Sequence, residues 1–129
     1  MKRATTEWVA KAEGDWKVAR REVGVSRPVW DAVCFHAQQC AEKYIKAVLE
    51  ENGIAFPKTH DLVLLVDSSG KLLSQLLLQR EALAHLSTVG IVARYPGSTS
   101  DRQSAKEALR MAREVRSVGR AVLGLVERR

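Results

Sequence analysis

Between Pro28 and the pair Asn52-Gly53, apolar residues return at three- and four-residue steps, and this long segment most restricts what the chain can fold into. At about 100° per residue, Val33, Ala37, Cys40, Ala41, Tyr44, Ile45 and Val48 share one broad arc. His36, Gln39, Lys43, Lys46 and Glu50 form a polar strip opposite. Such a pattern predicts an amphipathic helix that packs one face and turns the other to solvent or a ligand. Gln38 is the exception, because it falls at the edge of the apolar arc, where a carboxamide needs a hydrogen-bonding partner. It is either a core glutamine satisfied by its neighbours or a contact to a bound base or partner subunit.

Four further segments carry the same periodicity. The first runs from about Thr6 to Val23, with Trp8, Ala12, Trp16, Ala19 and Val23 on one face and Gly24 as its stop. A short one opens at Thr59, where a hydroxyl can cap free backbone donors, and ends near Ser68-Ser69-Gly70. The next spans Lys71 to about Ala93, with a weak point at Gly90, and is closed by Arg94-Tyr95-Pro96-Gly97. The last spans Asp101 to Glu127. No strand alternation longer than a few residues occurs, so the expected class is all-α, an up-and-down antiparallel bundle of about five helices. At 129 residues the chain is expected to be one domain over its whole length.

With 46% apolar and 28% charged residues there is enough to bury a core. The longest run of large apolar residues, Leu62 to Val66, is far short of the roughly 18–20 needed to cross a membrane. Thr5, Thr6 and Glu7 stand where a signal peptide would have its apolar region, so a cytoplasmic location is expected. Cys34 and Cys40 are six residues apart, about 9 Å along a helix and on different faces, so they cannot bridge each other and read as buried small apolar residues. The three Trp are expected in the core or in a dimer interface. Neither a metal-ligand spacing nor a Gly-rich phosphate loop is present, and no metal or cofactor is expected.

Net charge is +6, and its placement is informative. Residues 1–27 carry seven bases against four acids, and residues 101–129 eight against four. Arg102, Lys106, Arg110, Arg113 and Arg120 fall on one side of the last helix, opposite Ala105, Ala108, Ala112, Val115, Val122 and Val126. This stripe is either a solvated helix face or a surface that tracks phosphates, since guanidinium forks match phosphate geometry.

The run from Cys34 to Ala47, containing His36-Ala37-Gln38-Gln39 and Glu42-Lys43-Tyr44, is preceded by Ala12-x-x-Asp15-Trp16 and followed by Lys58-Thr59-His60-Asp61-Leu62 and Ala93-Arg94-Tyr95-Pro96. In this order the blocks resemble the HEPN domain family across nearly the whole chain. The resemblance implies a helical bundle, usually a homodimer, commonly encoded beside a minimal nucleotidyltransferase partner in toxin–antitoxin-type modules. It implies a nucleotide- or RNA-related role and lends weight to Lys43, His60, Arg94 and Tyr95 as cleft residues, beside His36, Gln39 and Lys46 from the polar strip and Arg110 and Arg113 from the basic one.

Many members of that family are metal-independent ribonucleases with an Arg-x-x-x-x-His motif, in which Arg stabilises phosphate charge and His assists proton transfer during attack by the ribose 2′-hydroxyl. Arg80 and His85 match that spacing and are the candidate catalytic pair. Glu81 and Leu86-Ser87 stand where active members usually have a small polar residue and a Tyr. On an ideal helix the two side chains diverge by about 140°. Three readings follow: a nucleotide- or RNA-binding domain associated with a nucleotidyltransferase, an active endoribonuclease, or a non-catalytic subunit that presents substrate.

Overall fold

A computed structural model describes residues 1–126. It consists of α1 (Arg3–Val23), α2 (Trp30–Glu51), α3 (Leu62–Ser68), a 3₁₀ helix (Ser74–Gln79), α4 (Arg80–Val92) and α5 (Arg102–Val122). Among the described residues there is no strand, and the fold is an all-α bundle. Among the described residues no helix is long and apolar enough to cross a membrane.

The four long helices alternate in direction. Lys2 and Thr5 at the start of α1 hydrogen-bond to Glu51 at the end of α2, both at 2.9 Å. Ser100, just before α5, donates to Asp31 in the first turn of α2 at 2.8 Å, and Arg120 near its end donates to the Tyr44 hydroxyl at 3.0 Å. Helices α2 and α5 therefore run parallel, with α1 and α4 antiparallel to them.

Helix α2 is the central rod, in contact with α1, α3, α4 and α5. From Cys40 to Leu49 every residue but Lys43 is buried. This corrects the expectation of an outward polar strip: Ile45 and Val48 are buried as expected, but Lys46 is only 8% exposed, and His36, Gln39 and Lys43 are half-buried. A helix surrounded by others has no free face, so its polar residues are paired inside rather than presented. Gln38 is a satisfied core glutamine, donating to Glu42 at 2.9 Å and to the His60 carbonyl at 3.3 Å. Cys34 and Cys40 are buried free thiols, each with its pKa raised by that burial.

Asn52-Gly53 stops α2 as the sequence suggests. Gly53 has φ +65°, with Ile54 N–H bonded to the Leu49 carbonyl at 2.9 Å and Gly53 N–H to Glu50 at 3.1 Å. The same motif ends α5 at Gly124 rather than carrying it to Glu127, a residue outside the described region. Val126, expected on the buried side, is consequently exposed. Two further boundaries differ from expectation. Asp61, not Thr59, caps α3 by accepting from Leu64 N–H at 3.1 Å. Residues 71–79 form a turn and a 3₁₀ helix, so α4 begins only at Arg80. Leucines at 72, 73, 76 and 77 suit a period of 3.0 as well as 3.6, and the sequence pattern does not separate the two.

Candidate functional site

Two carboxylates organise the polar row of α2. Asp15, from α1, accepts from His36 Nδ1 at 2.8 Å and from Lys43 Nζ at 2.6 Å. Glu42, on α2 itself, accepts from Gln38, from Lys46 Nζ at 2.9 Å and from His60 Nδ1 at 2.6 Å. Gln39 donates to the side-chain amide oxygen of Gln38 at 2.8 Å, which attaches it to the Glu42 half. Burial alone would raise the Glu42 pKa, but bonds from Gln38, His60 and Lys46 outweigh it and hold the carboxyl below its ordinary range. Both imidazoles are oriented through Nδ1, which leaves Nε2 as the nitrogen able to meet a ligand. The Lys46 ammonium also lies beside the edge-to-face pair of Trp8 and Phe56, 5.6 and 5.8 Å from their centroids. The row thus brings together His36, Gln39, Lys43, Lys46 and His60, and its charges are balanced internally.

A second cluster ties α1 to α5. Arg116 donates to both oxygens of Glu13, at 2.7 and 2.9 Å, and the Tyr44 hydroxyl donates to the same carboxylate. Desolvation would raise the Glu13 pKa, yet the bonds from Arg116 and Tyr44 bring it below the ordinary value. Arg120 is buried as well, held by Tyr44 and by the Val126 carbonyl. Its direction on the helix is the one expected for the basic stripe, but the segment beyond Gly124 folds back over it. Arg116, Arg113 and Arg20 place guanidinium carbons 5.4, 5.7 and 5.9 Å from the centre of the buried Trp16 ring.

Arg102, Lys106, Arg110 and Arg113 remain exposed on α5, with no ion pair among the described residues. Arg110 reaches Gln79 at 3.2 Å.

The model of the HEPN domain family matches residues 5–122 of the chain. The chain belongs to the HEPN domain family. The crystal structure of TT1696 from Thermus thermophilus resembles this HEPN domain with a TM-score of 0.71 at 21% identity, covering 94% of this chain and 99% of that one. At that identity the likeness speaks for the shared fold. No curated protein sequence matches significantly. Membership of the family supports a nucleotide- or RNA-related role in general terms.

Within this HEPN domain Arg80 and His85 look in different directions. Arg80 lies 3.7 Å from Asp67 of α3, whereas His85 Nε2 faces α5, 3.4 Å from the Ser104 carbonyl and 3.7 Å from Glu107. The five-residue spacing on a regular α4 enforces that divergence. Arg94 stacks over Phe35 at 4.9 Å, beside His36, and Tyr95 is exposed. Among the described residues no group of three or more His, Cys, Asp or Glu is placed to hold a metal ion.

In the sequence Asp15 and Glu42 stand within the blocks of the resemblance with nothing local to give them a role, and Glu13 and Arg116 count only among the charges of the two ends. A usable signal exists for Arg116. It lies beside Ala112, Val115 and Gly119 on the apolar side of α5, where a guanidinium requires a buried partner.

Proposed function

We propose that this HEPN domain binds RNA or a nucleotide through phosphate contacts along the exposed face of α5, presenting it to a minimal nucleotidyltransferase in a toxin–antitoxin-type module. The observation that carries the reading is a contrast in charge compensation. The cations of the α2 row are held by Asp15 and Glu42, while Arg102, Lys106, Arg110 and Arg113 are exposed and not ion-paired among the described residues. These four extend about 16 Å along the helix axis. Anions gain most from cations that no carboxylate already neutralises.

The test is fluorescence anisotropy of a labelled single-stranded RNA across a salt series. Each neutralised phosphate contributes about −0.7 to the slope of log K against log salt, so replacing Arg110 and Arg113 by Ala should flatten the slope by about 1.4. An unchanged slope rejects the surface. Failure of a co-expressed nucleotidyltransferase to co-purify would reject the partnership.

One observation favours a second reading, metal-independent cleavage by Arg80 and His85 completed across a homodimer. Beside Arg80 an open cavity of ≈ 510 Å³ is lined by Leu77, Leu78, Gln79, Glu81 and Ala82, and Leu78 is 88% exposed. The pair would be completed if a second copy covered this leucine and set its own His85 against Arg80. Arg80→Ala and His85→Ala should then each abolish RNA cleavage in chelator. Retained cleavage in both variants discards the pair.

A further inference from the structure

Where the α1–α2 connection meets the first turn of α5, a cavity of ≈ 250 Å³ is lined by Val23, Val25, Ser26, Pro28, Trp30, Arg102 and Lys106. Its two sides differ in chemistry. One is built from Val23, Val25, Pro28 and the half-buried Trp30, with Val25 and neighbouring Val29 left about half exposed, at 48% and 58%, although most of the surface that lines the cavity is polar. The other carries two cations one helical turn apart, both exposed and neither ion-paired among the described residues.

The nearby carboxylates are engaged elsewhere. Glu22 accepts from Val29 N–H at 2.7 Å, Asp31 from Ser100 N–H at 2.8 Å and Asp101 from Ser104 N–H at 2.8 Å, and none of them lines the cavity. An aromatic side chain thus adjoins two cations that no carboxylate ion-pairs among the described residues. The volume lies just under the roughly 300–1,000 Å³ of sites for drug-sized ligands, which suits a single ring system rather than two.

We propose that this cavity is a mononucleotide subsite: a nucleobase lies against Trp30 and its phosphate is held by Arg102 and Lys106. The inference rests on the proposed α5 surface, of which these two residues are the first pair. It adds that binding is anchored at that end by a base, so the site distinguishes a nucleotide from phosphate alone. Stacking on an aromatic side chain is tolerant of base identity, because every base has a π-face.

Calorimetric titration of the full chain with AMP, GMP, CMP and UMP, and separately with adenosine and inorganic phosphate, tests it. At least one nucleotide should bind roughly tenfold more tightly than either fragment. Lys106→Ala should reduce that affinity about tenfold. Trp30→Leu should reduce it by roughly five- to hundredfold, the range of one lost stacking contact. Should Trp30→Leu fail to fold, Trp30→Phe keeps a ring and should retain most of the affinity, while Lys106→Ala still reports on the phosphate limb. Nucleotides that bind no better than phosphate, or an affinity indifferent to Lys106 and Trp30, overturn the subsite. Nucleotide binding that survives while the RNA salt slope ignores Arg110 and Arg113 rejects the wider surface and leaves the subsite standing. The converse result rejects the subsite alone.

Discussion

At the scale of single residues, the consequential feature is Glu13, a half-buried carboxylate that answers for two buried arginines and a buried tyrosine. Removing one partner of such a pair leaves charge buried without compensation, which costs far more than the pair itself contributes. Glu13→Gln is expected to destabilise the fold by about 3 kcal/mol, measured by urea denaturation at neutral pH. A loss below a few tenths would show that water replaces the carboxylate. Glu13 and Glu42 both titrate below the ordinary value of 4.5 in the folded chain. A carboxylate with a depressed folded pKa stabilises above its unfolded pKa and loses that contribution as pH falls through the folded one. The urea midpoint should therefore hold from neutrality down to about pH 5 and drop below about 4.5. The drop should be shallower in Glu13→Gln, which has one fewer group to protonate, and parallel profiles for the two proteins would contradict the assignment.

At the scale of elements, the close crossing of α4 over α2 is made by Gly90. A Cβ there would lie 2.3 and 2.4 Å from Cβ and Cγ of Gln38. Those atoms sit next to the backbone and cannot swing aside, so overpacking of about 1–3 kcal/mol outweighs the roughly 1 kcal/mol that Ala gains over Gly in a helix. Gly90→Ala should lose on the order of 1 kcal/mol net. Gly14 on α1 is the control: a Cβ there would meet nothing within 4 Å, so Gly14→Ala should gain up to about 1 kcal/mol. Equal midpoints for the two variants would refute the crossing geometry. The sequence suggested that Gly90 loosens its helix, because glycine in isolation is a weak helix former. The helix continues through it, since what matters there is the absence of a side chain over Gln38. Gly53 and Gly24 were legible for the opposite reason, as each ends its own helix and needs no distant partner.

At the scale of the whole molecule, charge is sorted rather than spread. The polar row between α1 and α2 is balanced, and the excess sits toward the two ends of the sequence, with four exposed cations that form no ion pair among the described residues on α5. Adjacent like charges cost stability in the free protein and are screened by salt, with a Debye length of about 10 Å at 0.1 M. Two responses to salt of opposite sign follow. The free protein should melt at higher temperature as salt rises, by roughly 3–5 °C for each kcal/mol of repulsion relieved, whereas affinity for RNA should fall. Calorimetric melting of wild type beside Arg110→Ala/Arg113→Ala checks the first. A melting temperature that falls with salt would mean that attraction, not repulsion, dominates the surface.

Periodicity and stop residues by themselves determined that the chain is helical, where α1 and α2 end, and that the two thiols are buried, because each depends on neighbours a few positions away. Which cations are available to an anion was decided only by the tertiary structure. Lys43 and Lys46 carry the same charge at the same three-residue spacing as Arg110 and Arg113, and a linear reading treats them alike. Asp15 reaches Lys43 from another helix, Glu42 takes Lys46 and His60 together, and the returning carbonyl of Val126 covers Arg120. Neutralisation of a charge requires an opposite one within a few ångströms, and most of those partners are separated from it in the chain by a full helix or a chain reversal.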